Sequence, residues 1–502
     1  MLYIMNIFPV TLSVLVSISS ILGYVSADDL FSRSPYSIVI DGGSTGSRLH
    51  IFEFVVDEFS GETDCVRRGS ERSHKPLSAF SRDDRSVPLN QTALIEHIIY
   101  IFDFAARIIP PEYHLSTTIK FGGTAGMRLL DEDEQTEIYD SLYEGLIENS
   151  NFVFRNFERG DILTIGGDKE GFYGALATNF LKGIIDTTLT TTSRIYVENG
   201  ENVLGALDMG GSSTQIVYLP KRTTCKNDQC DKPSSANSAH LVEEDFFSIS
   251  YLAYGVDRFR ERLWDTWVDD QENMMRIDKA ADSSKIIKNP CAFKGYEIDW
   301  KEYKLVGTGD AEKCEKQVQR LIPGYEPDQE LGGRVGGVEH PPINGKFFAM
   351  SLYFFTFDSL RELSNPLMEA HQILNHAWPT PSIQELHDAL DGFCSRSWNN
   401  DLINIQHEAH VFTRAEVLPH RCLESVYILT LLRDGFGFQP SSRDITFGFL
   451  VDGSEVEWSL GLALSQHAEQ FSIDSEKEQP KMNHTNKGAC DDSKNEHSQR
   501  RS

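Results

Sequence analysis

The sequence predicts an α/β fold with mixed sheets flanked by helices, and three observations carry that expectation. Apolar strands are joined by tight glycine turns in two places, "SIVIDGGSTGSRLHIFEF" and "VLGALDMGGSSTQIVYLP", which makes antiparallel hairpins. Two other strands, in "TTIKFGGTAGMRLL" and "DILTIGGDKEGFYGALATNFLKGII", run through glycine pairs into helical sequence, the join that a crossover needs. A length of 502 residues exceeds what one core fills, so two domains are expected.

Taken in order, the chain opens on the apolar and small-residue run "MNIFPVTLSVLVSISSILGYVSA", which ends in Val25-Ser26-Ala27. Residues 1–27 are expected to be a secretory signal peptide. No Lys or Arg precedes Arg33, so an uncleaved signal anchor is the alternative; no second apolar stretch of spanning length follows. From Ser37 to Asp57 the pattern is strand, turn, strand. Apolar residues recurring at three and four in "ALIEHIIYIFDFAARII" predict an amphipathic helix over Ala93–Ile109. A strand over Ile162–Ile165 precedes a helix from about Lys169, and the polar stretch Lys221 to Glu244 reads as an exposed loop. The segment from Phe246 to about Gly437 has helices of its own, and "SRDITFGFLVDGSEVEWSLGLALSQHAEQF" gives strand, turn and closing helix. Residues 471–502 hold too few apolar side chains to fold and are expected to be disordered. The two domains are expected over 28–168, completed by 440–470, and over 169–439.

The formal charge of −28 repels nucleic acid and anionic membranes, so neither is an expected partner. It repels anionic small molecules too. A phosphate site here must supply local attraction through backbone amides, a helix N-terminus or a metal. Eight cysteines fit an oxidising compartment. Cys291 with Cys314 and Cys394 with Cys422 are spaced as local pairs and Cys225 with Cys230 as a small loop, leaving Cys65 and Cys490; spacing leaves the connectivity open. No Cys-x-x-Cys pair with partnering His spacing is present, which excludes a zinc-finger reading. In a secreted chain Asn90 and Asn483 are N-glycosylation acceptors. The protein is therefore expected to be secreted or to sit in the lumen of the endoplasmic reticulum or Golgi.

The opening hairpin and "ALDMGGSSTQIVYLP" echo one another: apolar strand, Asp-x-Gly, a small-residue turn with hydroxyls, second apolar strand. Asp41 and Asp208 hold equivalent places. Two such turns facing one another form a clamp, in which amides and hydroxyls grip a phosphate chain and the aspartates approach one metal ion. Thr124, between a strand and a helix start, adds a hydroxyl and free amides. Glu170 opens a helix, where an acid commonly just complements the helix dipole. Beside phosphate loops, the same carboxylate is placed to orient and deprotonate a water.

Five stretches in order, "IVIDGGSTGSRLHIF", "FGGTAGMRLL", "GDKEGFYGALATNFL", "ALDMGGSSTQIVYL" and, more loosely, "EVEWSLGLAL", make the chain resemble the apyrase family of nucleoside triphosphate diphosphohydrolases. Connecting blocks such as "NPCAFKGY", "GKFFAMSLYFF" and "CLESVYILTLLRDGFGF" extend the resemblance from about Ser37 to about His467. It implies two related ribonuclease H-like (actin-like) domains with nucleotide in the cleft between them. It also implies metal-dependent hydrolysis of terminal phosphates of nucleoside tri- and diphosphates, without a phosphoenzyme. In that scheme Glu170 activates the attacking water, while Thr124, Ser213 and Gln215 contact the terminal phosphate or place the water. Asp41 and Asp208 hold Ca2+ or Mg2+, mainly through its waters. Gly43, Ser44, Thr45 and Gly46, with Gly123 and Ala125, belong to the phosphate loops of the first half, and Gly210, Gly211 and Ser212 to that of the second. Tyr353 or Phe354 is expected to stack on the base. The topology is nearer the soluble lumenal members, which favour diphosphates.

The chain departs from the family pattern at three points. Ala175 stands where a Trp is usual, leaving a large aromatic missing from the expected pocket wall. Ser212 stands for Ala, and Val456-Glu457 replaces small residues. The competing functional readings are an exopolyphosphatase-like phosphohydrolase and a secreted nucleotide-binding protein with little turnover.

Overall fold

The computed structural model describes residues 33–82, 84, 86–192, 203–220, 240–277, 285–322, 333–405, 407 and 409–478. A first sheet takes β1 (Tyr36–Gly43), β2 (Gly46–Val56), β3 (Thr63–Ser73), β4 (Thr118–Gly123) and β5 (Ile162–Thr164) in the order β3-β2-β1-β4-β5. The first three are antiparallel hairpin partners; β4 runs parallel to β1, and β5 parallel to β4. The next strands are β6 (Gly205–Met209), β7 (Ser213–Tyr218) and β8 (Phe247–Leu252). A small sheet of β9 (Ile286–Asn289), β10 (Glu297–Trp300) and β11 (Tyr303–Gly307) follows, then the pair β12 (Gly333–Val335) and β13 (Val338–His340). With β14 (Phe347–Ala349) and β15 (Ile445–Phe447), the second large sheet runs β8-β7-β6-β14-β15. Again three antiparallel strands are followed by two parallel ones. The two halves are repeats of one topology.

Alternation along β1 explains how the first sheet is covered. Ile38 and Ile40 join Leu49 and Ile51 in an outer core, closed by the Gln91–Ile108 helix through Leu94, Ile98 and Phe102. Val39, on the opposite face, joins a central core with Phe172, Val217 and Trp458. That central layer consists of two helices, Gly167–Leu181 and Trp458–Glu478, lying between the sheets. They approach closely at Gly461, where a Cβ would stand 1.9 Å from the Tyr173 carbonyl. The third core surrounds the second sheet's outer helices and contains both the Cys291–Cys314 and Cys394–Cys422 disulfides. The pairs that spacing alone left open are thus formed, and among the described residues Cys65 is a buried cysteine without a disulfide partner.

Several boundaries differ from the expectation. The first long helix begins at Gln91 because Asn90 caps it, its side chain accepting from the Ala93 amide at 3.0 Å. Strand β15 lies within 440–470, the segment expected to complete the first domain, yet it pairs with β14 in the second sheet. The closing helix continues past Phe471 to Glu478: once a packed helix exists, adding a turn of helix-tolerant residues is cheap. Residues 1–27, most of the Lys221 to Glu244 stretch, Cys225, Cys230, Asn483 and Cys490 lie outside the described residues.

Candidate functional site

The repeat sets two hairpin turns at corresponding strand ends. Asp41, near the end of β1, lies opposite Arg48 across its hairpin, and Asp208, near the end of β6, lies opposite Gln215. The parallel neighbours β4 and β14 lead into Thr124 and Ser351, each the cap of a helix. The Thr124 amide donates to the Gly42 carbonyl at 3.0 Å and its hydroxyl does so at 3.4 Å. Ser351, held at φ 54°, hydrogen-bonds the Asp208 carboxylate. A non-glycine residue at positive φ stores strain and is a marker of functional geometry; Ser351 stands two residues beyond β14, shortly before the aromatic run of Tyr353 and Phe354.

Tight packing fixes the loops. Gly46 has φ +146°, and a Cβ there would lie 2.1 Å from the Ser73 carbonyl. In the second loop the carbonyls of Gly210 and Gly211 accept from the amides of Val256, Asp257 and Arg258, tying the turn to the start of the Val256–Ile277 helix. Gly126 rests against Ser44, so the turn after Thr124 touches the first loop.

Glu170, in the first turn of the Gly167–Leu181 helix, is nearly buried. Its Oε2 accepts from Arg128 Nη1 at 2.8 Å and from Gln215 Nε2 at 3.3 Å. Arg128 Nη2 and Gln215 Nε2 also reach Ser213 Oγ, at 3.2 and 3.0 Å. Glu170 is therefore brought into one cluster with Ser213 and Gln215 of β7. Burial pushes the Glu170 acid up to about 7, opposed by Arg128 and reinforced by Asp208. Asp41 is pushed up to about 8, by loss of water first and then by Glu170 and Glu457. Asp208 is raised too, again mainly by desolvation. Among the described residues, Asp41 Oδ1 is buried without a hydrogen-bond partner. Mutually repelling carboxylates with an orphaned oxygen are a donor set that suits a hard divalent cation.

Sequence reasoning named amides, helix ends or a metal as the attraction for phosphate; the structure adds arginines. Arg72 Nη2 donates to Thr45 Oγ1 at 2.7 Å at the tip of the first loop, and Arg128 braces Glu170. Arg48 could have been found, since it stands in its hairpin where Gln215 stands in the echo.

Two expectations change. Tyr353 is fully buried, its hydroxyl on Thr214 Oγ1 at 2.8 Å, so it offers no face to a base. Phe354 is buried against Phe355, Trp378, Phe412 and Phe449. Phe412 is the exposed member of that group, next to a cavity of about 330 Å³ lined by His407, His410, Val411, Thr413 and Arg414. Ala175 is enclosed in the central core and does not line a pocket wall, so its departure from the family pattern concerns packing. Asp358, Glu362 and His410 also converge within 4.8 Å, but Arg361 holds Asp358 and the His410 ring is bonded on both sides, so the network is complete without an ion. No helix among the described residues is long and apolar enough to cross a membrane.

Comparison with known proteins places this arrangement. The GDA1/CD39 (nucleoside phosphatase) family model matches residues 31–481. Ectonucleoside triphosphate diphosphohydrolase 1 of Mus musculus is 25% identical over 456 residues, covering 86% of this chain and 80% of that protein. The Golgi apyrase of Saccharomyces cerevisiae is 26% identical over 466 residues, covering 86% and 70%. A solved nucleoside triphosphate hydrolase from Neospora caninum superposes with a TM-score of 0.55 at 16% identity, over 92% of this chain and 97% of that one. The last likeness is one of fold, and it agrees with the actin-like pair of repeated halves. With the family model spanning nearly the whole chain, the protein belongs to the GDA1/CD39 (nucleoside phosphatase) family.

Proposed function

We propose that this enzyme removes the terminal phosphate from nucleoside tri- and diphosphates in a divalent-cation-dependent reaction, with Glu170 as the general base. The observation that carries the reading is the Glu170 carboxylate, held on one oxygen by Arg128 and Gln215 and poised near neutral pH. A base whose acid titrates near the working pH combines availability with proton affinity. Its Oε1 is left to take the proton of a water attacking the phosphorus in line. The Thr124 and Ser213 hydroxyls and the loop amides of Gly43 to Gly46 and Gly210 to Ser212 would hold the phosphate oxygens as charge develops. Water is the nucleophile, so no phosphoenzyme forms; the products are orthophosphate and a nucleotide shorter by one phosphate.

Asp41 and Asp208 would hold Ca2+ or Mg2+, in keeping with the orphaned Asp41 oxygen. When bound, such an ion neutralises phosphate charge and orients the chain for attack. The nucleoside end is assigned to the cavity beside Phe412, His407 and Arg414, in place of the buried Tyr353. Two disulfides and the likeness to the Golgi apyrase of Saccharomyces cerevisiae support action in the secretory pathway or outside the cell.

The test is phosphate release from ATP, ADP, UTP, UDP, GDP, AMP and polyphosphate, with Mg2+, Ca2+ or chelator, beside Glu170→Gln. Cation-dependent release from tri- and diphosphates, none from AMP, and a variant slowed about 10²–10⁴-fold with nucleotide binding intact are expected. Release from polyphosphate alone, or full activity in the folded variant, would overturn the reading.

A further inference from the structure

One charged residue of the first hairpin is left over by the phosphate loops. Across the second hairpin from Asp208 stands Gln215, whose amide reaches Glu170 and Ser213. Across the first hairpin from Asp41, at the corresponding position, stands Arg48. Directly opposed residues on antiparallel strands project to the same face. Asp41 shares the face of β1 with Val39, the side of the central layer to which the Glu170 helix belongs, so Arg48 leaves the sheet on that side as well. Its side chain is 35% exposed, and it and the Asp41 carboxylate attract one another.

Arg48 is restrained. Its Nη1 is hydrogen-bonded to Glu457 and lies 3.6 Å from Glu455. Glu457 directly precedes the Trp458–Glu478 helix. The carboxylate is shared: His50 Nδ1 lies 3.0 Å and Arg67 Nη1 3.3 Å from its Oε2, and Arg67 also holds Glu455 at 2.9 Å. Glu457 would keep Arg67 and the His50 ring as neighbours if Arg48 turned away. Arg48 therefore has a replaceable partner on one side and a phosphate loop on the other.

We propose that Arg48 is a substrate-binding residue held back by Glu457, exchanging that carboxylate for a non-terminal phosphate oxygen of a nucleoside di- or triphosphate. The inference rests on the proposed hydrolysis, since it supposes a phosphate chain in the clamp. The exchange trades one charge-assisted bond for another, and the guanidinium fork fits phosphate as well as carboxylate. Glu457 competes with substrate, so it sets affinity and leaves the chemical step to Glu170.

Steady-state kinetics on ADP and ATP with Mg2+ test this, for wild type, Arg48→Gln, Arg48→Lys and Glu457→Gln, with melting temperatures recorded. Arg48→Gln should raise KM about tenfold or more, a loss typical of a bond to a charged group, with a smaller effect on kcat. Arg48→Lys should fall between, keeping the charge and losing the fork. Glu457→Gln should lower KM about threefold or more, because the competitor has lost its charge. Opposite signs for the two partners are the signature. An ion pair serving only stability would lower both melting temperatures and shift KM the same way or not at all, which would overturn the proposal. If Arg48→Gln does not fold, an unchanged or raised KM in Glu457→Gln overturns it just as well. Wild-type turnover with no KM change in Arg48→Gln removes this inference alone. If wild type releases no phosphate, the proposed hydrolysis fails, and the same opposite signs are sought in the dissociation constant of ADP.

Discussion

Arg128 donates through Nη1 to the Glu170 carboxylate at 2.8 Å, joining two residues that stand 42 positions apart in sequence. The same guanidinium reaches Ser213 and the Ile165 carbonyl, so one side chain links the first half, the central helix and the second hairpin. Its charge lowers an acid that burial raises, and the balance leaves Glu170 near neutrality.

Arg128→Gln should therefore move the acidic limb of the pH profile. The base acts as carboxylate, which is populated above its pKa. Removing the charge that lowers the Glu170 pKa shifts the limb to higher pH. At pH 7 kcat/KM should fall about tenfold or more, the loss expected for a bond to a charged group. A pH series of kcat/KM on ADP checks this; a limb that stays in place would show that Arg128 does not tune Glu170.

Asp41→Asn should stabilise the cation-free protein at alkaline pH while abolishing cation-stimulated turnover. The folded-state acid, pushed up to about 8, sits above its ordinary value of 3.8. The native state thus holds the proton more tightly, and its stability falls as pH rises from about 4 to 8, by at most about 1.4 kcal/mol per unit. Asn carries no such penalty. Melting curves in chelator at pH 5 and pH 8 should show the variant gaining on wild type as pH rises. Parallel changes in the two proteins would count against a strained Asp41.

Reduction of Cys291–Cys314 and Cys394–Cys422 should lower the melting temperature without stopping turnover at moderate temperature. The bridges span 23 and 28 residues and lie in the outer core of the second half, while Glu170 belongs to the helix between the sheets. Each should be worth about 2–4 kcal/mol. Paired Cys→Ser variants, followed by calorimetry and phosphate release, separate the two; an unchanged melting temperature would show that the bonds do not stabilise the native state.

How much was legible follows from how local each feature is. The Asp41 and Asp208 hairpins could be read because glycine turns and alternating strands are encoded within a dozen residues, and the structure places both aspartates at corresponding strand ends. The start of the first long helix slipped because its cap, Asn90, lies outside the apolar repeat that revealed the helix. Tyr353 misled because an aromatic run looks the same whether it lines a pocket or fills a core. Only the second sheet and Thr214 bury it.

By itself the sequence determined the fold class, the duplicated glycine turns, the acid at the head of the central helix and the cysteine spacings. Each of these depends on residues close together along the chain, where backbone geometry and periodicity act directly. Tertiary structure alone decided which charges meet: Arg128 with Glu170, Arg72 with Thr45, and Arg48 with Glu457 across 409 positions. The first and last of those pairings arise where two repeated sheets close on the layer between them, and burial there, not residue type, raises Glu170 and Asp41 toward neutrality.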